Sequence, residues 1–294
     1  MTMNVRTPKK FLSGALLVTV LSAGTASHAA TVTLDPLNTC ATVGGAVNLA
    51  ASATCDFKPD TYSITIFQMG LCTSAPTAPT PTAAAGLGAC TVAYDNPAGS
   101  AVSVTSSGAP AALSGGTLTV PPGGTYTHGY VLIANSISVS TSVTFTTAKT
   151  GQVAGSGITC WTVNRSLLRS AVFTNTSQCG ASVGSVGTQT VQLNTLDGGG
   201  PVYSVISDIP ESGDRISAYL LEPSGVSLAD GTALASSAAN RILGIVRFAS
   251  PVTVPTQPTN VDIGFRTSSA VGINSTADVI RFDPGPFVIK ITAK

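Results

Sequence analysis

One segment of the chain has the residue types and spacing of a serine nucleophile. Gly180-Ala181-Ser182-Val183-Gly184 matches the G-x-S-x-G pattern, in which a sharp turn exposes the hydroxyl of the central serine. That chemistry needs a histidine to accept the serine proton, and the histidine follows the serine in such chains. The only histidine after residue 29 is His128, which precedes Ser182 and lies in a strand-like segment. We therefore interpret the glycine-rich segment as a turn, and His128 as a residue on the surface of a sheet.

Asp208, Glu211 and Asp214 form the densest group of acidic residues. Paired carboxylates can hydrolyse glycosidic bonds, and three carboxylates can bind Ca²⁺. The spacing is not that of a calcium loop, and Pro210 and Gly213 are typical of a solvated loop. The three residues are weak ligand candidates.

Trp161, the single tryptophan, is a fourth weak ligand candidate. It could stack on a sugar ring, or it could pack beside the neighbouring Cys160 in a sandwich core. The chain has no phosphate loop, no dinucleotide fingerprint and no basic-aromatic patch. The sequence therefore assigns no catalytic residue, cofactor, metal ligand or nucleic-acid partner.

The six cysteines predict a disulfide framework. An even number of cysteines behind an export signal is typical of disulfide bonds. Metal binding is disfavoured, because no two cysteines are spaced as Cys-x-x-Cys and histidine ligands are lacking. Each cysteine is expected to pair with its neighbour along the chain, and loops of such size contribute roughly 3 kcal/mol each. The expected pairs are Cys40–Cys55, Cys72–Cys90 and Cys160–Cys179.

The first 29 residues have the pattern of a secretory signal peptide. Arg6, Lys9 and Lys10 precede an apolar stretch, and Ser27-His28-Ala29 places small residues at a cleavage site. We expect cleavage after Ala29. The mature protein is then a secreted one, located outside the cell, at the cell surface or in the periplasm, without insertion into the membrane.

Charged residues are rare and unevenly distributed. Only 9% of the chain is charged, against roughly 25% in a typical soluble protein. Three of the 14 basic residues and none of the 13 acidic ones lie in the leader, so the mature net charge is 11 − 13 = −2. Residues 96–148 carry no charge at all. This balance excludes an electrostatic nucleic-acid binder.

Two-residue alternation of apolar and polar residues predicts strands throughout the mature chain. In the segment 137–145, Ile137, Val139, Val143 and Phe145 alternate with serine and threonine, and similar alternation recurs elsewhere. Such alternation is typical of antiparallel sheets with one face in a core. Glycine- and proline-rich turns separate the strands. The predicted fold is an all-β antiparallel sandwich, of jelly-roll or immunoglobulin-like type, with at most two short helices, near residues 164–169 and 230–243.

The charge distribution suggests two β domains. Residues 30–148 form a charge-poor domain, residues 149–294 form the second, and the glycine-rich stretch 149–157 is the boundary. A single long sandwich is the alternative, since all-β domains reach about 250 residues.

These features favour a secreted structural or adhesive protein, such as a subunit of a surface filament, coat or matrix. Sheet edges in the charge-poor half would lack the lysines that block strand pairing, and the polar face of segment 137–145 could lie against a neighbour. The expected partners are further copies of the chain, other surface proteins, or glycans. A carbohydrate-binding module is the first alternative, for which an exposed aromatic platform would be the discriminator. A secreted hydrolase is the second, requiring Asp208, Glu211 or His128 to converge in a cleft.

Overall fold

The computed structural model is all-β, as the sequence predicted. It describes residues 16–21, 29–32, 39–105, 113–168, 174–193, 205–211, 214–222, 227, 239–256, 260–266, 270–284 and 288–293. No helix occurs in these ranges. The strands are β1 (Leu16–Leu21), β2 (Ala29–Val32), β3 (Thr42–Val43), β4 (Ala46–Val47), β5 (Thr54–Phe57), β6 (Thr61–Cys72), β7 (Cys90–Thr105), β8 (Thr117–Leu118), β9 (Gly124–Ala134), β10 (Ile137–Ser140), β11 (Ser142–Gly151), β12 (Ser156–Thr162), β13 (Arg165–Leu168), β14 (Ser177–Gly180), β15 (Gln189–Gln192), β16 (Val205–Glu211), β17 (Asp214–Leu221), β18 (Arg241–Val254), β19 (Asn260–Arg266), β20 (Val271–Thr276), β21 (Val279–Pro284) and β22 (Val288–Ala293).

A ten-stranded sheet is organised around the long strand β6. One side of β6 pairs with β7, and β8 adds to β7. The other side pairs with β10 near residues 61–63 and with β9 along residues 66–72. From β10 the sheet continues to β15 and β13, and from β9 it continues to β18, β17 and β16.

An eight-stranded sheet has the order β14-β12-β11-β21-β20-β5, with β4 and β3 attached to β11. A smaller sheet has the order β2-β1-β19-β22. The pairing of β5 with β20 joins residues 54–57 to residues 271–274.

The main core lies between the ten-stranded and eight-stranded sheets. Side chains alternate between the two faces of a strand, and β6 accordingly buries every second residue from Tyr62 to Ile66. The buried cluster combines side chains of both sheets, among them Tyr62, Ile64, Ile66, Val102, Val139, Val47, Phe145, Ile273, Ile280 and Phe282. Burial of such apolar surface, at roughly 25 cal/mol per Å², stabilises the sandwich.

The three predicted disulfide pairs are confirmed. Cys40–Cys55, Cys72–Cys90 and Cys160–Cys179 close sequence separations of 15, 18 and 19 residues, and no described cysteine is free. Cys72 and Cys90 are direct partners on β6 and β7, and Cys160 and Cys179 on β12 and β14. Disulfides fit an oxidising compartment.

The two short helices allowed by the sequence do not form where the structure describes those residues. Residues 165–168 are strand β13, because they pair in parallel with β15. Arg241, Ile242 and Leu243 begin β18, where the latter two are buried. Residues 230–238 lie outside the described ranges. Local preference for a helix is weak, and packing into a sheet overrides it.

The predicted boundary at residues 149–157 falls in the β11–β12 hairpin. Strands from both sides of it pair in the two large sheets, as in β10 with β15 and β5 with β20.

Candidate functional site

Segment 137–145, whose polar face was expected to be able to lie against a neighbour, forms parts of two sheets and is not an edge strand. It divides at Thr141, so that β10 belongs to the ten-stranded sheet and β11 to the eight-stranded sheet. Both strands have neighbours on each side. Thr141 is buried, its N–H donates to Thr162 Oγ1 at 3.0 Å, and its carbonyl accepts from Thr162 N–H at 3.0 Å. These bonds fix the chain where it crosses between the sheets.

The glycine-rich segment around Ser182 covers Trp161. A Cβ atom at Gly184 would lie 2.6 Å from the indole Cζ2, and one at Gly180 would lie 3.3 Å from Cη2. The glycines therefore allow the backbone to approach the ring closely. Ser182 itself is exposed, on a bend after β14.

Trp161 is only 7% exposed, and its Nε1–H has no hydrogen-bond partner. Its burial leaves little ring surface for a sugar to stack on.

His128 lies on β9, opposite Arg247 of β18 and Cys72 of β6. Its Nδ1 is 2.8 Å from Thr127 Oγ1, and that hydroxyl also donates to Thr73 O at 3.1 Å. Burial lowers the pKa of His128, and the Arg247 guanidinium lowers it further. Its register neighbours are Arg247 and Cys72. Neither is a carboxylate that could orient the imidazole, or a serine that could give it a proton, so these neighbours do not support a role for His128 as a general base.

The acidic candidates belong to the β16–β17 hairpin. Glu211 and Asp214 are register partners at its tip. The Asp214 carboxylate accepts the backbone N–H of Ala249 at 2.7 Å, which anchors the hairpin to β18. The side chains of Asp208 and Glu211 lie outside the described part. Within that part, no three acidic, histidine or cysteine side chains are grouped to hold a metal ion.

The outer face of the ten-stranded sheet carries a row of hydroxyl side chains that the sequence did not reveal. The row crosses five adjacent strands, β7, β6, β10, β15 and β13. Each member is the direct register partner of the next, in the order Ser103, Ser63, Ser138, Thr190 and Ser166. We call these five residues the hydroxyl face. Since strands lie about 4.8 Å apart, the row spans about 19 Å.

Hydrogen bonds between neighbouring hydroxyls hold parts of this row in place. Ser63 Oγ donates to Ser103 Oγ at 3.0 Å, and Ser138 Oγ and Thr190 Oγ1 lie 2.8 Å apart. Ser103 and Ser166 are exposed, and the other three are half-buried. Each hydroxyl can donate one bond and accept two. The row therefore keeps unused donor and acceptor capacity toward solvent.

The hydroxyl face is a direct result of strand alternation. In the same strands, the residues next to the hydroxyls point inward, and Tyr62, Val102, Val139 and Val191 are buried. A second row follows one pleat further along, where Thr61 pairs with Ser140. None of the side chains in either row is charged. The sequence pattern behind the hydroxyl face is a serine or threonine at alternate positions in each strand. The strand register that aligns these residues joins segments far apart in the chain, so the pattern alone does not reveal the row.

The aromatic ring of Phe67 lies further along β6, four residues after Ser63 of the hydroxyl face. The Arg241 guanidinium carbon is 3.6 Å from the Phe67 ring centroid. Gly99, with φ +81°, brings its backbone against the same ring. The ring is half-buried between these contacts. The exposed large apolar residues that the structure describes contain no aromatic: Val43, Val120, Val153, Ile158, Val183 and Val186. The aromatic platform expected of a carbohydrate-binding module is not among them.

A different part of the outer face is closed by the loop between Cys72 and Cys90. Tyr130, Tyr219, Leu221, Leu243 and Ile245 form a second apolar cluster there, against which Ala85 and Leu87 of the loop pack. The Tyr130 hydroxyl donates to Gln68 Oε1 at 2.9 Å, and Gln68 Nε2 donates to Asp95 Oδ1 at 2.8 Å. Burial, with the nearby Asp95 carboxylate, raises the pKa of Tyr130. This disulfide-closed loop therefore covers that part of the sheet.

Comparison of the chain with known protein families, with curated proteins and with solved structures gave no match. In the described part of the chain, no helix is long and apolar enough to cross a membrane.

Proposed function

We propose that the protein is exported and serves as an extracellular structural or adhesive protein, a subunit of a surface filament, coat or matrix. The observation that carries the proposal is the hydroxyl face, an uncharged row of five hydroxyl side chains across five strands. The disulfide framework fits the oxidising compartment that such a protein occupies.

The chemistry of the hydroxyl face suits contact with another surface. Burying an unpaired charge at an interface is far more costly than burying a hydroxyl that finds a hydrogen-bond partner. A neighbour presenting carbonyl, amide or hydroxyl groups can pair with this row without removing any charge from water. The contact is therefore expected to persist at high salt, where electrostatic screening shortens to roughly 3 Å at 1 M.

Sedimentation of the mature protein over a concentration series, at low and high salt, tests self-association. Lysines at Ser63 and Ser138 would have to be desolvated at the contact, so the double variant should associate at least about tenfold more weakly. Ser182→Lys is the matched control, because that serine is exposed on a bend and is not part of the hydroxyl face. A variant at Ser142 is less suitable, since its backbone N–H and its hydroxyl both donate to Asp60 Oδ2, at 2.8 and 3.1 Å.

Carbohydrate binding is the second candidate function, and the same row favours it. Regularly spaced hydroxyls offer both donors and acceptors to the hydroxyls of an extended polysaccharide. Retardation of the protein in gels that contain polysaccharide measures this directly. Ser63→Ala with Ser138→Ala should remove the retardation if the row binds the glycan, whereas Ser182→Ala should not. A mature protein that is monomeric at every concentration, and is not retarded, would contradict both functions.

A further inference from the structure

The small sheet contains a strand that export would remove. β1 lies between β2 and β19 and is antiparallel to both. On β19 its register partners are Asn260, Val261 and Asp262. All of β1 lies within residues 1–29, the predicted leader.

Cleavage after Ala29 would leave two strands without this partner. β19 would keep β22 as its neighbour on the other side, and β2 would lose the strand it pairs with. Backbone N–H and C=O groups along such an edge need new partners. An open edge next to a vacated position is a template for the addition of another strand.

We propose that the N-terminal strand of a second copy fills the position vacated by β1, so that residues 30–34 of one molecule pair with β19 of the next. The proposal deepens the proposed function and rests on export with leader removal. It identifies how subunits would be linked.

We call residues 30–34, the N-terminal strand of the mature chain, the arm. Its residue pattern fits the vacated position. In the precursor, Thr19, Val20 and Leu21 lie opposite Asp262, Val261 and Asn260. The mature arm begins Ala30-Thr31-Val32-Thr33-Leu34, which alternates between apolar and polar residues. With Val32 in register with Val261, the two threonines fall opposite Asp262 and Asn260. The alternation of the arm then agrees with that of β19 over this stretch.

Strand direction favours a second copy over the arm of the same molecule. Because β2 and β19 are both antiparallel to β1, β2 runs parallel to β19. If β2 moved across within its own molecule, it would form a parallel pair, which is slightly less stable per residue. To pair antiparallel with its own β19, the arm would have to reverse its direction. The Cys40–Cys55 bond restricts that reversal, because it anchors the chain shortly after the arm. An arm arriving from another molecule can enter antiparallel, as β1 does.

The arm is long enough to reach a neighbour. Residues 30–39 precede the anchored Cys40 and, fully extended, span at most about 36 Å. The donating arm and the accepting strand are different surfaces of one molecule. Contacts of that kind are head-to-tail and can continue without closing, which produces a filament.

The first test compares the mature chain with the full chain that retains residues 1–29, both with their three disulfides, by sedimentation velocity. The mature chain should assemble as its concentration rises, and the full chain should assemble at least about tenfold more weakly because β1 occupies the position. Val32→Pro removes a backbone donor within the arm and should abolish assembly. Val32→Thr is the matched control, since it keeps a strand-forming residue.

The second test asks which strands meet. Mature Val32→Cys and mature Val261→Cys, prepared separately and mixed under oxidising conditions, should form a disulfide between copies. Val32→Cys mixed with Val43→Cys should not, since Val43 is an exposed residue of β3, which belongs to another sheet.

The outcomes separate this proposal from the proposed function. If the mature protein assembles, but Val32→Pro has no effect and residues 32 and 261 do not cross-link, strand donation is wrong and the structural role stands. If residues 32 and 261 of a double cysteine variant bond only within one molecule, the chain's own arm fills the position and the proposal is overturned. A mature protein that is monomeric throughout contradicts both, whereas an exported chain that keeps its leader contradicts strand donation alone.

Discussion

Lys149 is buried, and its ammonium lies 2.5 Å from the Asp278 carboxylate. The same ammonium donates to the carbonyl oxygen of Leu49 at 2.7 Å. Asp278 occupies the turn between β20 and β21 with φ +64°, and its carbonyl accepts the N–H of Thr150. The pair therefore connects β11, the β20–β21 turn and the segment after β4. A buried lysine needs such partners, because an unpaired buried charge is strongly destabilising.

Removal of the Asp278 charge should destabilise the fold more than removal of both charges. Asp278→Asn leaves the buried ammonium with the Leu49 carbonyl alone, and we expect a loss of about 2–3 kcal/mol in the free energy of unfolding. Lys149→Met combined with Asp278→Asn should recover part of that loss. Urea unfolding of the two single variants and the double variant gives the coupling energy. Strictly additive losses would show that the pair is not coupled.

Gly157→Ala should be severely destabilising. A Cβ atom at Gly157 would overlap the backbone of Gly180 and Ala181, which cannot move away as a flexible side chain could. Overpacking of this kind costs about 1–3 kcal/mol or more. Gly88→Ala is the control, because nothing lies within 4 Å of a Cβ atom there. Thermal unfolding should show a lower Tm for the first variant alone, and equal Tm values would contradict the packing of β12 on β14.

The lowered pKa of His128 predicts that the fold loses stability in mild acid. Burial and Arg247 hold the pKa below its usual 6.5 in the folded protein. As the pH falls through 6.5, the unfolded chain takes up a proton before the folded protein does, so stability decreases until the folded pKa is passed. Above pH 6.5, where His128 is neutral in both the folded and the unfolded chain, its protonation does not lower the stability of the fold.

NMR can follow this titration directly, since His128 is the only histidine after residue 29. Arg247→Gln removes the nearby guanidinium charge, so it should raise the midpoint of the His128 titration toward the ordinary histidine pKa. His128→Gln removes the titrating group and should flatten the pH dependence of the free energy of unfolding between about pH 5 and 7. A midpoint above 6.5 in the native protein would contradict the prediction.

Export with cleavage after Ala29 is the fourth prediction. The basic start, the apolar stretch and the small residues at positions 27 and 29 supply the signals that a signal peptidase needs. Intact mass and N-terminal sequencing of the exported protein should give Ala30 as the first residue. A mass that retains residues 1–27 would show that the leader is not removed.

The parts of the fold that the sequence predicted are those with local signals. Alternation within each strand indicated an all-β sandwich, and short spacings identified the partners of Cys40, Cys72 and Cys160. Both signals depend on residues that are close in the chain.

The hydroxyl face could not be predicted, because Ser63 and Ser138 become neighbours only through the pairing of β6 with β10. The crossing at Thr141 was hidden for a similar reason. The segment from Ile137 to Phe145 contains no glycine or proline, and its alternation is interrupted only by the polar Thr141. The bonds between Thr141 and Thr162 show that the sheets separate there. A register between distant strands is set by the whole core, and no single segment records it.

The pairing of β5 with β20 has a consequence for how the chain acquires its structure. Residues 54–57 have their sheet partners at residues 271–274, so this part of the eight-stranded sheet cannot close until nearly the whole polypeptide has been synthesised. Proteins dominated by such distant pairings fold slowly, over milliseconds to seconds. The hairpin of β6 and β7, by contrast, joins segments that emerge close together, and the Cys72–Cys90 bond can secure it early. A chain that folds in this order stays partly folded, with unpaired strands, for a finite time, and that interval is when it is most open to aggregation and to chaperones.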